Sequence, residues 1–192
     1  MPQKKNEFEQ RIFEVMHNRL HCLDLQIIQI NLGFICNQTC EHCHVQASPN
    51  RTEQMRWSTM EKILDVTATQ PPLFIDITGG APELHPHLEE FLRALDAQHH
   101  RVQLRTNLTI LLEPEYKDLP DLYKELGIEL VASLPCYLEE EVRLQRGKGV
   151  FEKSIQALQL LNKIGYGTTQ KLPLTLVFNP LEPVLPPEQK SL

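Results

Sequence analysis

Residues 27–44 read Ile27-Ile28-Gln29-Ile30-Asn31-Leu32-Gly33-Phe34-Ile35-Cys36-Asn37-Gln38-Thr39-Cys40-Glu41-His42-Cys43-His44. A short apolar run, broken at alternate positions by Gln29 and Asn31, passes directly into three cysteines spaced C-x3-C-x2-C. A structural zinc site normally takes four protein ligands, and a [4Fe-4S] cluster has four irons to bind. Three thiolates in one loop hold three irons and leave the fourth open to a small molecule, which makes the loop a site for chemistry rather than a staple. The triplet by itself leaves zinc open as an alternative, with His42 or His44 as fourth ligand.

The pattern set by residues 27–33 repeats. Further apolar runs lie at 73–78, 101–106, 128–134 and 172–178, with helical patterns near 58–69, 87–98, 119–126 and 152–164 between them. Strand and helix in alternation predict parallel βα units and an α/β fold. Gly127 and Gly165 stand where helices should stop before the next strand. Ahead of all this, residues 7–20 place Phe8, Ile12, Val15 and Met16 near helical spacing. The expected organisation is an N-terminal helix and lead-in over 1–26 and a core over 27–192, with Cys22 structural.

Each strand has one apolar face, such as Ile28, Ile30 and Leu32, or Val102 and Leu104. The other face is polar: Gln29 and Asn31, Asp76 and Thr78, Gln103, Arg105 and Asn107, Glu129 and Ser133, Thr175. Closed eight-stranded barrels fill their interior with branched apolar layers. A polar inner face instead predicts an open, wetter, partial (β/α) barrel of about five parallel strands, with helices outside and a polar lumen. A sheet with one solvated face is the alternative, and is less usual where strands are parallel.

The 192 residues suffice for one domain with a real core. A net charge of −6 without a Lys/Arg cluster argues against a nucleic-acid partner. No apolar run is long enough to span a bilayer, and the polar start, Met1 to Asn6, lacks the apolar stretch of a signal peptide. An odd count of five cysteines, three of them clustered, fits a reducing compartment, and the expected location is cytoplasmic.

The second apolar run ends in Asp76-Ile77-Thr78-Gly79-Gly80-Ala81-Pro82-Glu83-Leu84. Glycines at the C-terminal end of a parallel strand let a backbone approach a ligand, and ligands of α/β folds sit at that end. The cysteine loop followed one unit later by this turn resembles the signature of the radical S-adenosylmethionine (radical SAM) enzymes. The resemblance implies a [4Fe-4S] cluster on Cys36, Cys40 and Cys43, with S-adenosylmethionine (SAM) chelating the fourth iron. It also implies reductive cleavage of SAM to a 5′-deoxyadenosyl radical, with electrons from a donor such as flavodoxin or ferredoxin. His42 stands where the family usually has an aromatic residue. Ala81 replaces the glutamate of the family's Gly-Gly-Glu-Pro motif, so any side-chain role there is lost or passes to Glu83. The implied SAM site is Gly79, Gly80, Ala81, Pro82 and Glu83 together with Asn107, Ser133 and Arg146, the arginine being placed to neutralise the SAM carboxylate.

A narrower resemblance runs from about residue 25 to about residue 190. Thr78 to Leu84 with its Ala81, Asn107-Leu108-Thr109, Ala132-Ser133-Leu134-Pro135-Cys136-Tyr137 and Gln145-Arg146-Gly147 are similar to the radical SAM proteins of arsenosugar biosynthesis. It implies a transferase that places the deoxyadenosyl group on a methylated trivalent arsenical, with Cys136 as a soft thiolate near the barrel mouth. The family continues beyond a sixth strand, whereas this sequence stops at Leu192. Its fifth strand is therefore expected to be an open edge that favours self-association. Two other functions fit the same residues: another radical SAM activity such as peptide modification, and a non-catalytic, zinc-stabilised or degenerate binding protein.

Overall fold

The computed structural model describes residues 7–17 and 23–180. It contains α1 (Glu7–Met16), β1 (Ile27–Asn31), α2 (Trp57–Thr67), β2 (Phe74–Thr78), α3 (Leu88–Ala97), β3 (Arg101–Thr106), α4 (Leu119–Glu125), β4 (Glu129–Ser133), α5 (Glu139–Arg146), α6 (Val150–Ile164) and β5 (Leu174–Val177). Short 3-10 turns at Pro82–Leu84, Thr109–Leu112 and Pro114–Tyr116 follow the second and third strands. All five strands are parallel and stand in chain order, β1-β2-β3-β4-β5. Each βα unit adds its strand on the same side of the last, which is how a barrel wall grows; a doubly wound sheet would reverse at a switch point.

The expected α/β class and five parallel strands are present. The expected helix over 7–20 ends at Met16 in the described residues, and residues 18–20, like Cys22, lie outside them. None of α1 is buried, so Phe8, Val15 and Met16 remain exposed. A helix that the apolar pattern does not announce is α5. Its apolar content is too thin for periodicity, and charge marks it instead. Glu139, Glu140 and Glu141 occupy the first turn and Arg143 and Arg146 the last, the arrangement that complements a helix dipole.

The core forms where the apolar strand face meets the helices. Ile30, Ile75, Ile77, Val102, Leu104, Leu130 and Ala132 pack with Met60, Phe91, Leu92, Leu95, Tyr123, Ala157 and Leu161. At the far end Leu176 is 49% and Val177 38% exposed, because among the described residues β5 has a strand neighbour only in β4. No described helix is long and apolar enough to cross a membrane.

The opposite face of the sheet carries a connected polar network. The Asp76 carboxylate, 5% exposed, accepts from Gln29 Nε2 at 2.7 Å, Gln103 Nε2 at 2.9 Å, Arg105 Nε at 2.9 Å and Arg105 Nη2 at 2.8 Å. A buried carboxylate is tolerated when its lone pairs are met in this way. Burial alone would raise the Asp76 carboxyl, but the bonds from Arg105, Gln29 and Gln103 outweigh it and hold the group below the usual carboxylate range.

The two ends of the sheet are expected to respond differently to truncation. Leu104→Ala, at a fully buried position, should cost about 2–5 kcal/mol through lost burial and an unfilled cavity. Leu176→Ala, at the half-exposed edge, should cost less than about 1 kcal/mol. Urea unfolding of the two variants beside the parent measures the contrast, and equal losses would show that β5 is covered in solution.

Candidate functional site

The cysteine loop leaves β1 on a stem, residues 33–36, held on two sides by backbone alone. On one side Gly80 N–H donates to Gly33 O at 2.9 Å and Ala81 N–H to Ile35 O at 2.8 Å. On the other, Phe34 N–H donates to Glu53 O at 2.9 Å and Cys36 N–H to Ser48 O at 3.2 Å. The packing leaves no room for side chains. A Cβ at Gly80 would lie 2.3 Å from Ile35 O, and one at Gly79, where φ is +152°, 2.9 Å from Gly33 O. The two glycines therefore serve first to seat the cysteine loop, which differs from the expectation that a ligand's approach to the backbone requires them. Arg51 fastens the far side of the loop. Its Nη1 donates to Gln46 O at 2.9 Å, its Nε to Glu53 at 2.9 Å, and its guanidinium lies 4.7 Å from the centre of the Phe34 ring. The Arg51 hydrogen bond holds the Glu53 carboxyl at about 2.

A cavity of about 290 Å³ opens at the C-terminal ends of the strands. Cys36, Cys40 and Cys43 line it together with Gly79, Gly80, Asn107, Ser133 and Arg146. Cys36 is buried, and burial pushes its thiol up, an effect that hydrogen bonds from the Gln38 backbone and the Asn107 amide only partly offset. Asn107 Nδ2 lies 3.5 Å from Cys36 Sγ and 2.6 Å from Asn37 Oδ1, while its Oδ1 accepts from Ile110 N–H at 3.1 Å. This one side chain thus ties the cysteine loop to the end of β3. Cys43 Sγ accepts from Ala47 N–H at 3.3 Å.

Among the described residues no group of three or more His, Cys, Asp or Glu side chains is so gathered that it could hold a metal ion. A cubane makes a different demand. Each thiolate takes its own iron, so the three need only share one wall around a space, and that is how they stand. His42 and His44 also line the cavity, whose described lining has no carboxylate; the three cysteines along one wall fit an iron–sulfur cluster.

Several expected site residues stand elsewhere. Ala81, Pro82 and Glu83 do not line the cavity. Glu83 is 4% exposed and neither carboxylate oxygen has a hydrogen-bond partner. Burial pushes this carboxyl up to about 7. Arg146 lines the cavity, but its guanidinium is committed. Nη1 donates to Ser133 O and Nη2 to Asn107 O, so it clasps the ends of β3 and β4. Cys136 is 2% exposed and belongs to the hydrophobic core, although the adjacent Pro135 lines the cavity. Burial pushes its thiol up as well. In contrast Arg105 and Gln38, outside the expected site, are in the wall. Arg105 was visible in the sequence on the polar face of its strand. Gln38, whose Nε2 donates to Thr109 Oγ1 at 2.5 Å, had no such signal.

Comparison with known proteins agrees with this geometry. The family model described as the Radical SAM superfamily matches residues 30–180. The antilisterial bacteriocin subtilosin biosynthesis protein AlbA of Bacillus subtilis is 27% identical over 130 residues, 68% of this chain and 29% of that protein. The mycofactocin maturase MftC of Mycolicibacterium smegmatis is 24% identical over 135 residues, 70% of this chain and 34% of that protein. Among solved structures, Streptococcus suis SuiB bound to S-adenosylmethionine superposes with a TM-score of 0.60 at 16% identity, covering 85% of this chain and 38% of that one. The structure of anSMEcpe with bound AdoMet gives 0.63 at 21% identity, covering 80% and 43%. At these identities the structural likeness is one of fold. The chain spans about a third of the length of these two curated relatives.

Two outcomes follow from the site's packing. Gly80→Ala should lower the iron taken up on anaerobic reconstitution, because the new Cβ displaces the stem that carries Cys36; iron content equal to the parent's would show that the stem yields without consequence. Glu83 gives a pH dependence of defined sign. Its folded value of about 7 exceeds the unfolded value of 4.5, so the folded state binds the extra proton and stability falls as pH rises from about 4.5 through 7. By pH 8 the loss approaches roughly 3 kcal/mol at this buried position. Glu83→Gln should flatten that slope, measured as the difference between the two unfolding free energies from pH 5 to 8.

Proposed function

The chain belongs to the radical SAM superfamily, whose members are enzymes that use a [4Fe-4S] cluster and SAM, and we propose that it transfers the 5′-deoxyadenosyl group of SAM to a methylated trivalent arsenical. The observation that carries the SAM reading is the shared cavity. All three thiols open into it beside the Gly79-Gly80 turn and the ends of β3 and β4. Cys36, Cys40 and Cys43 would hold the cluster. Bound there, it would supply the one electron that splits SAM into methionine and a 5′-deoxyadenosyl radical, and the adduct of that radical with trivalent arsenic gives one electron back, so transfer is redox-neutral overall.

The chain's own groups set the rest. The N–H groups of Gly80 and Ala81 are spent on Gly33 O and Ile35 O. The turn meets the cavity as bare backbone at Gly79 and Gly80, a surface that the ammonium of SAM can approach closely. Asn107 holds the cysteine loop against β3, and Arg146 keeps the Ser133 and Asn107 ends together. Arg146 is thus a positioning residue in this proposal. Ala81, Pro82 and Glu83 act through the fold of the turn, and Cys136, buried in the core, is assigned no step. Ligation must remove the Cys36 proton against the effect of burial, so cluster assembly should be favoured by mildly alkaline conditions.

The arsenical acceptor is supported by the sequence segments from Thr78 to Leu84, Ala132 to Tyr137 and Gln145 to Gly147. Peptide modification is the second reading. It is favoured by likeness to AlbA, to MftC and to SuiB, a structure of which contains the precursor peptide SuiA. An external donor such as flavodoxin or ferredoxin supplies the electron in either case.

Anaerobically reconstituted protein should take up about four irons per chain and, with SAM and dithionite, release 5′-deoxyadenosine. Adding dimethylarsinous acid should divert that product into an adenosyl-arsenic adduct detectable by mass spectrometry, and Cys40→Ala should abolish both products. Release of 5′-deoxyadenosine unaffected by the arsenical would favour the peptide reading. One zinc per chain with no iron uptake would overturn the enzyme reading.

A further inference from the structure

The described cavity wall contains two guanidinium groups and no carboxylate, in a chain of net charge −6. The two arginines are used in opposite ways. Arg146 donates from both terminal nitrogens to backbone carbonyls and is 8% exposed. Arg105 donates side-on to Asp76 through Nε and Nη2, and no group among the described residues accepts from its Nη1. Its side chain is 40% exposed while that of Asp76 is 8%.

The Asp76 grip fixes the direction of that free edge. Asp76 is saturated by Arg105, Gln29 and Gln103, so it neither swings nor needs a second cation. A guanidinium anchored along one side presents the other as a planar fork, the geometry that a carboxylate or oxyanion meets with two parallel hydrogen bonds. Arg105 also stands two residues before Asn107, whose amide touches the Cys36 thiol, and both line the cavity. The fork therefore opens into the same cavity as the three thiols.

We propose that Arg105, oriented by Asp76, is the anion subsite of this cavity and binds a carboxylate or other oxyanion of the molecule held there. The subsite rests on the SAM reading and deepens it. Two sources present the required chemistry: the methionine carboxylate of SAM, and an arsenic-bound oxygen of the acceptor. Lysine keeps a charge beside Asp76 but gives up both the side-on pair and the free edge, so the deciding readout is selectivity among the probes: a loosened pair weakens SAM and decarboxylated SAM alike, whereas loss of the subsite weakens only the anion-bearing probe.

Isothermal titration of anaerobically reconstituted protein separates these cases, with SAM, decarboxylated SAM and, in the presence of SAM, dimethylarsinous acid as probes. Arg105→Lys is compared with the parent. The double variant D76N/R105Q removes the pair together and leaves no unpaired buried charge. If the anion is the SAM carboxylate, R105K weakens SAM by about 10- to 100-fold and leaves decarboxylated SAM unchanged. If it is the acceptor's oxygen, SAM binding is unchanged and the arsenical weakens by a similar factor. Either result supports the subsite. All three affinities within twofold of the parent in both variants overturn it, as does a loss spread equally over SAM and decarboxylated SAM. Release of 5′-deoxyadenosine by the parent protein tests the enzyme reading separately. If release persists while the affinities do not move, only the role of Arg105 falls. A parent protein that binds none of the probes overturns both.

Discussion

Everything at the open end of this barrel depends on two backbone segments lying against each other without side chains between them. Gly79, Gly80 and Ala81 meet Gly33, Phe34 and Ile35 through two amide-to-carbonyl hydrogen bonds, at a separation that a single methyl group would break. The stem of the cysteine loop is in effect a continuation of β1 past its last regular pair, braced by the turn after β2. This brings thiols from one βα unit and the Gly79-Gly80 turn of the next to one cavity. Neither unit makes the site alone, so the pairing of β1 with β2 is a condition for the chemistry as well as for the sheet.

The lumen obeys a second constraint, electrostatic rather than steric. Polar side chains on the inner face of a parallel sheet are costly unless they meet one another. Here Asp76 is the centre to which Gln29, Gln103 and Arg105 all turn. The network satisfies these groups without apolar packing, and Arg105 alone of its members reaches the cavity wall. A closed barrel filled by branched residues would have no such space. The same need for satisfaction explains Arg146, which is buried because two strand-end carbonyls take its protons.

Much of the fold was legible in the sequence, for identifiable reasons. The alternation of βα units and the apolar and polar faces of the strands are properties of backbone periodicity, and tertiary packing did not override them. Five strands and four of the helices end within two residues of their expected limits. Helix α5 was not legible because its stabilisation is largely electrostatic and its apolar face is thin. The site was legible where identity is enough, in three thiols and a pair of glycines. It was not where direction matters. Glu83, Arg146 and Cys136 sit at the expected places in the chain, but the first and last point into the core and the second is spent on carbonyls. Arg105 shows the converse. Its position on the polar face was evident, while its free edge depends on a partner, Asp76, in another strand.

The glycine seat also bears on how freely this loop can vary. It recognises only main-chain atoms of Phe34 and Ile35, so it places no demand on side chains beyond Cys36. Thr39, Glu41, His42 and His44 are exposed, and nothing in the seat distinguishes them from other residues. Change at exposed positions 39, 41, 42 and 44 is thereby uncoupled from the geometry of the seat, whereas Asn37 and Gln38 are tied to it through Asn107 and Thr109, and positions 33, 79 and 80 have no room for a side chain. An aromatic residue beside the last cysteine, or a histidine as here, is then a local choice made on a frame that does not register it.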